Sequence, residues 1–150
     1  MIADGFERVH VELEWYDGPR AGLADVDGKS HYFQGYDYDR AVKADEYRVW
    51  PASAAAVEWE REQWAIFARW NERYKAGAAG AETHPGRGGI DARYDELALL
   101  LAPFRRVPDD ARWLAGELRF DAGARYRVDR PDYWFRWRPA CAAKSGYRGA

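Results

Sequence analysis

The stretch Val57–Tyr74, "VEWEREQWAIFARWNERY", narrows the possible folds more than any other part of the chain. At about 100° per residue, Val57, Trp59, Trp64, Ile66, Phe67, Trp70 and Tyr74 fall within one half of a helix. Glu58, Arg61, Glu62, Arg69, Glu72 and Arg73 take the other half. So wide an apolar face needs a broad apolar partner, and a sheet covers it in a two-layer arrangement. Ser53, behind Pro51, is placed to cap the start, and Gly77 is suited to the residue just past the end. A helix is expected over 52–77, ~35 Å long at ~1.5 Å per residue.

The flanking segments supply strands. "FERVHVELEW" alternates, with Val9, Val11, Leu13 and Trp15 on one face and Arg8, His10, Glu12 and Glu14 on the other, as in a strand with one wet side. Asp27-Gly28 lies between two β-compatible runs and suits the type I′ turn of a hairpin. "EYRVW" (46–50) reads as a further strand ended by Pro51. Asp91 can cap a second helix, "ARYDELALLLAPFRR", ended or kinked at Pro103. "RYRV" and "DYWFRWR" return to alternation near the end. The expected fold is a single α+β domain spanning 1–150. An antiparallel, twisted sheet, built from N-terminal strands and a C-terminal hairpin, packs on the long Trp-rich helix and a shorter second one. Residues 78–90 read as a flexible loop and 140–150 as a disordered tail.

At 150 residues the chain is long enough to bury a core without staples. With eight Trp, ten Tyr and six Phe, that core must be built largely from rings. The lone cysteine, Cys141, excludes an intrachain disulfide and a Cys-based zinc site. With no leader pattern and no apolar run of spanning length, the expectation is a small bacterial-type cytoplasmic protein that does not enter the membrane. The net charge of −2 conceals −7 over residues 1–104 and +5 over 105–150.

Three polar residues intrude on the aromatic half of the long helix: Glu60, Gln63 and Asn71. A carboxylate among tryptophan rings would be desolvated, which suits a general acid or a ligand anchor, so this edge is the candidate pocket. The competing reading makes Glu60 a core carboxylate satisfied by a ring hydroxyl or N–H. In "DYWFRWR", inward Tyr133, Phe135 and Trp137 would leave Trp134, Arg136 and Arg138 facing outward together. An exposed Trp between arginines can clamp an acidic protein loop or stack a base. Asp37 and Asp39 would share a face as an acidic second contact, without the spacing of a calcium loop. "HPGRGG" brings His84 and Arg87 to a loop that could receive an anion. No metal site, no cofactor and no catalytic nucleophile is expected.

The leading expectation is a non-enzymatic binding module that engages a protein partner, or a small anionic ligand, through Trp134, Arg136 and Arg138. Immunity proteins and antitoxin-like inhibitors offer an analogy of size and charge only. The alternatives are a small-molecule or hydrolase-like site at Glu60, between helix and sheet, and a single-stranded nucleic-acid contact through the Arg/Trp strand. A pI near 5.9 weighs against the last.

Overall fold

Asp27 and Gly28 both take positive φ, 54° and 77°, and the turn they make sets Val26 opposite Lys29. This is the hairpin expected of Asp-Gly, because its twist matches that of the flanking strands. The computed structural model describes residues 5–15, 19–39, 44–120 and 130–140, with the backbone alone for 36–39, 44 and 45. Six strands follow one another: β1 (Glu7–Trp15), β2 (Pro19–Val26), β3 (Lys29–Asp39), β4 (Ala44–Pro51), β5 (Arg112–Phe120) and β6 (Tyr133–Pro139). Each pairs antiparallel with the next. Between β4 and β5 the chain leaves the sheet to form α1 (Ala54–Lys75) and α2 (Ala92–Leu101).

The α+β class is as expected, but the sheet is not open. β1 also pairs with β6, Glu7 opposite Phe135 and Arg8 opposite Trp134, and the six strands close into a barrel. Closure gives the first and last strands partners that an open sheet would leave wanting.

So small a barrel has no lumen, and rings fill it. Phe33, Tyr47, Phe135 and Trp137 meet inside at centroid separations of 4.5–6.2 Å, with Val9, Val49 and Leu114 buried around them. Two glycines make the room. A Cβ on Gly116 would lie 2.9 Å from both Phe135 and Trp137, and one on Gly22 would lie 2.1 Å from the Val11 carbonyl oxygen.

The second core lies outside the barrel. Val11, Leu23, Tyr32 and Trp50 face Trp64 and Ala68 of α1 and Leu97 and Leu101 of α2. Part of the aromatic face of α1 packs here: Trp64 is buried against the outer wall of the barrel and α2, with Val57, Trp59, Ile66 and Phe67 partly buried beside it, whereas Trp70 lies against the 81–87 turns and Tyr74 is exposed. Ser53 caps the helix by accepting from the Ala56 N–H at 3.2 Å. At the other end Gly77 takes φ +78°, and the Ala78 N–H reaches the Arg73 carbonyl at 2.8 Å, a closure that satisfies otherwise orphaned carbonyls. Asp91 caps α2 through the Tyr94 N–H at 2.9 Å.

The alternation expected for β1 is broken. Val9 opposes Ala24 while Val11 opposes Leu23, so His10 is an extra residue in a bulge, and a second irregularity follows between Glu12 and Glu14. Val9 and Trp15 consequently belong to the barrel interior, whereas Val11 and Leu13 belong to the outer core. A bulge inserts one residue and switches the face of everything beyond it.

The segment 78–90, read from sequence as an open loop, forms two single-turn 3-10 helices, Ala81–Thr83 and Pro85–Arg87. The "RYRV" run and the tail from Cys141 onward lie outside the described residues. Among the described residues no helix is long and apolar enough to cross a membrane.

Candidate functional site: a cleft between barrel and helix

Glu60 projects from α1 into the outer core and is fully buried. Its carboxylate is completely engaged. Arg105, in the turn after α2, donates Nε to Oε2 at 2.8 Å and Nη2 to Oε1 at 2.7 Å. The Tyr32 hydroxyl donates to Oε2 at 2.8 Å. Burial, reinforced by the carboxylate beside it, pushes the Tyr32 phenol well above its ordinary value, so it stays a donor. Gln63 extends the network: its Oε1 accepts from Arg105 Nη2 at 2.6 Å, and its Nε2 donates to the Tyr94 carbonyl at 3.0 Å. This network ties α1, α2 and β3 together. Glu60 is a buried, hydrogen-bonded carboxylate rather than an exposed acid.

In front of this network lies an open cleft of about 470 Å³, bounded by β1, β2 and β3 on one side and by α1 and the 81–87 turns on the other. Glu60 does not reach it, but its partners Tyr32, Gln63 and Arg105 do. Trp15, Trp50, Trp64 and Phe67 supply flat apolar wall.

The polar lining is only partly used. Arg105 spends Nε and Nη2 on Glu60 and Gln63, leaving Nη1 without a partner among the described residues. The Tyr94 hydroxyl is likewise uncommitted there, and burial raises its pKa, so it remains a neutral donor. His84 accepts from the Gly86 N–H at Nδ1, at 2.9 Å, which puts the ring proton on Nε2. Burial and the nearby Arg87 charge hold its pKa below the ordinary value. The rings of Phe67 and Trp70 fix its position at centroid distances of 5.6 and 4.5 Å. Three residues with uncommitted donors thus line one aromatic-walled cleft.

No protein-family model, no curated protein and no solved structure matches this chain.

Of the residues singled out from sequence, Gln63 and His84 line the cleft, and Glu60 stands behind it. Asn71 is half-buried further along α1 and is not part of the lining. Arg87 turns back on its own loop, donating Nε to the Ala81 carbonyl at 3.2 Å.

The Arg/Trp strand is placed differently from expectation. Tyr133, Phe135 and Trp137 do face inward, but Trp134 on the outer face is only 3% exposed. The barrel closes beside it, and the Arg8 guanidinium of β1 sits over its ring at 5.2 Å. Arg136 bonds Glu117 at 2.7 Å and lies over Phe6, and Arg138 reaches the same carboxylate at 3.3 Å. A tryptophan so covered cannot stack a base or enter a partner's pocket without first losing its lid. Asp37 and Asp39 lie on β3, with their side chains outside the described set. Among the described residues, no group of three or more His, Cys, Asp or Glu is placed to hold a metal ion.

Sequence reasoning missed Arg105, Tyr94, Gln34, Glu12 and Glu14 as lining residues. They come from four elements or turns far apart in sequence, and none forms a local motif. The only local hint was an arginine just beyond a proline-ended helix.

Proposed function

We propose that this protein binds a small, flat organic molecule in the cleft between the barrel wall and α1. One observation carries the reading: an open, ring-walled cleft of about 470 Å³ holds donors at Arg105 Nη1, His84 Nε2 and Tyr94 that nothing in the described chain satisfies. Ligand sites are typically apolar clefts of ~300–1,000 Å³ with a few placed polar groups. The reading is non-catalytic. The buried carboxylate behind the cleft, Glu60, does not line it and is held by Arg105 and Tyr32. It also takes precedence over partner capture through Trp134, Arg136 and Arg138, because that tryptophan is covered and its arginines share Glu117.

The test is a thermal-shift screen of planar heteroaromatic compounds on the wild type and on Ala21→Phe. Ala21 lines the cleft from β2 and is half-buried, so a phenyl ring there occupies the cleft with little demand on the core. A ligand at a hundred times its Kd stabilises the folded state by ~2.7 kcal/mol. At ~2–4 °C per kcal/mol for a chain of this size, its Tm shift is ~5–10 °C. Compounds that shift the wild type and not Ala21→Phe support the cleft. A screen whose every shift is equal in the two proteins refutes it.

A further inference from the structure

We infer that the molecule taken by this cleft is an organic cation: a protonated or quaternary amine carried on a flat ring that also bears a neutral hydrogen-bond acceptor. The inference rests on the cleft reading above and follows from the charges on its walls.

The described lining contains two carboxylates, Glu12 and Glu14 of β1, and one formal cation, Arg105. The Arg105 charge is already matched, because the fully buried Glu60 engages it by two parallel bonds directly behind the wall. Arg105 therefore offers the cleft a hydrogen bond rather than a net charge. His84 adds no charge in the tautomer that accepts from Gly86. Among the lining residues that leaves the Glu14 carboxylate, with Glu12 held in contacts of its own.

Glu12 accepts from the Tyr133 hydroxyl, which fixes its position at the barrel rim. Glu14 is exposed and has no ion-pair or hydrogen-bond partner among the described residues. Both acids line the cleft. Glu12 pairs opposite Gly22 and Glu14 opposite Ala21 across an irregularity in β1, with Leu13 turned into the outer core between them.

The rings work in the same direction as the acids. The π face of an indole is electron-rich and attracts a cation, more strongly where water is excluded. Trp15, Trp50 and Trp64 all border the cleft. An anionic ligand would meet the Glu14 carboxylate as a repulsive neighbour, and a cation meets it as an attractive one beside indole rings, while Arg105 Nη1 and Tyr94 still require an acceptor from the same molecule.

Isothermal titration at one pH and ionic strength with the 5-methoxy derivatives of tryptamine, tryptophol and indole acetate, each called here by its parent's name, separates these cases, since the three share a ring bearing a neutral ether acceptor and differ in the charge of the side arm. Tryptamine is expected to bind about 10-fold tighter than tryptophol, with indole acetate weakest. Glu14→Gln, a surface change, should weaken tryptamine roughly 5- to 10-fold and leave tryptophol within about twofold. Tryptophol or indole acetate binding as tightly as tryptamine, with all of it lost in Ala21→Phe, overturns the cation and leaves the cleft standing. Unchanged tryptamine affinity in Glu14→Gln also overturns the cation. Binding that survives in Ala21→Phe, or no binding of any of the three, overturns the cleft reading together with it.

Discussion

Replacing Glu60 with Gln probes the part of the molecule on which the cleft depends. The carboxylate is fully buried and accepts from Arg105 Nε, Arg105 Nη2 and the Tyr32 hydroxyl. An amide offers one oxygen to these donors and turns its own N–H groups toward the rest. Hydrogen bonds to charged groups contribute ~1.5–3 kcal/mol each, and removing one partner of a buried pair costs ~3–5 kcal/mol because the other charge is stranded. The Arg105 side chain is 26% exposed, so water recovers part of that loss. The expected cost is therefore near the lower end, about 3 kcal/mol. At ~2–4 °C per kcal/mol, Tm should fall by ~6–12 °C. Urea unfolding at neutral pH should give a lower midpoint with an unchanged slope, the mark of lost stability rather than an altered unfolded state. Arg105→Met should cost a similar amount, since it strands Glu60. The double variant should cost less than the two added, by ~1.5 kcal/mol or more. A Glu60→Gln protein as stable as the wild type, or single effects that simply add, would refute this account of the network.

Two further outcomes concern the barrel and the bulge. Gly22→Ala, whose Cβ would meet the Val11 carbonyl at 2.1 Å, and Gly116→Ala, set against two rings at 2.9 Å, should each cost ~1–3 kcal/mol or more through overpacking. Gly22 should be the costlier, since backbone yields less than a ring, and the reverse order in urea titrations would count against it. His10 bonds Asp25 at 2.8 Å and accepts from Arg61 at 3.1 Å. Burial outweighs the Asp25 carboxylate and, with Arg61 and Arg8 adding to it, holds its pKa below the ordinary 6.5. The unfolded chain thus takes up this proton at higher pH than the folded protein. The contribution is complete above about 6.5 and is lost as pH falls below it, at up to ~1.4 kcal/mol per pH unit. Stability measured from pH 7 to pH 5 should fall more steeply in the wild type than in His10→Gln, and equal slopes would dismiss the effect.

What the sequence determined by itself is local. The Asp27-Gly28 turn, the Ser53 and Asp91 caps, the closure at Gly77 and the single aromatic face of α1 are all set by residues within a few positions of one another. Their chemistry is readable wherever they occur. The nature of the core as a packing of rings followed from composition alone.

The tertiary structure decided everything that depends on partners distant in the chain. Barrel closure joins β1 to β6, more than a hundred positions apart, and no local pattern distinguishes that pairing from an open edge. The bulge at His10 leaves the alternation of "FERVHVELEW" intact on paper while sending Val9 inward and Val11 outward. Closure also put Arg8 over Trp134, covering the residue that had looked most exposed. Glu60 shows the division most clearly. Its position among the rings of α1 was legible, but whether it was an acid at a cavity or a bound carboxylate depended on Arg105, 45 residues away. That arginine holds the buried carboxylate, and by spending two of its nitrogens there it keeps the third without a partner among the described residues, in a side chain that lines the cleft.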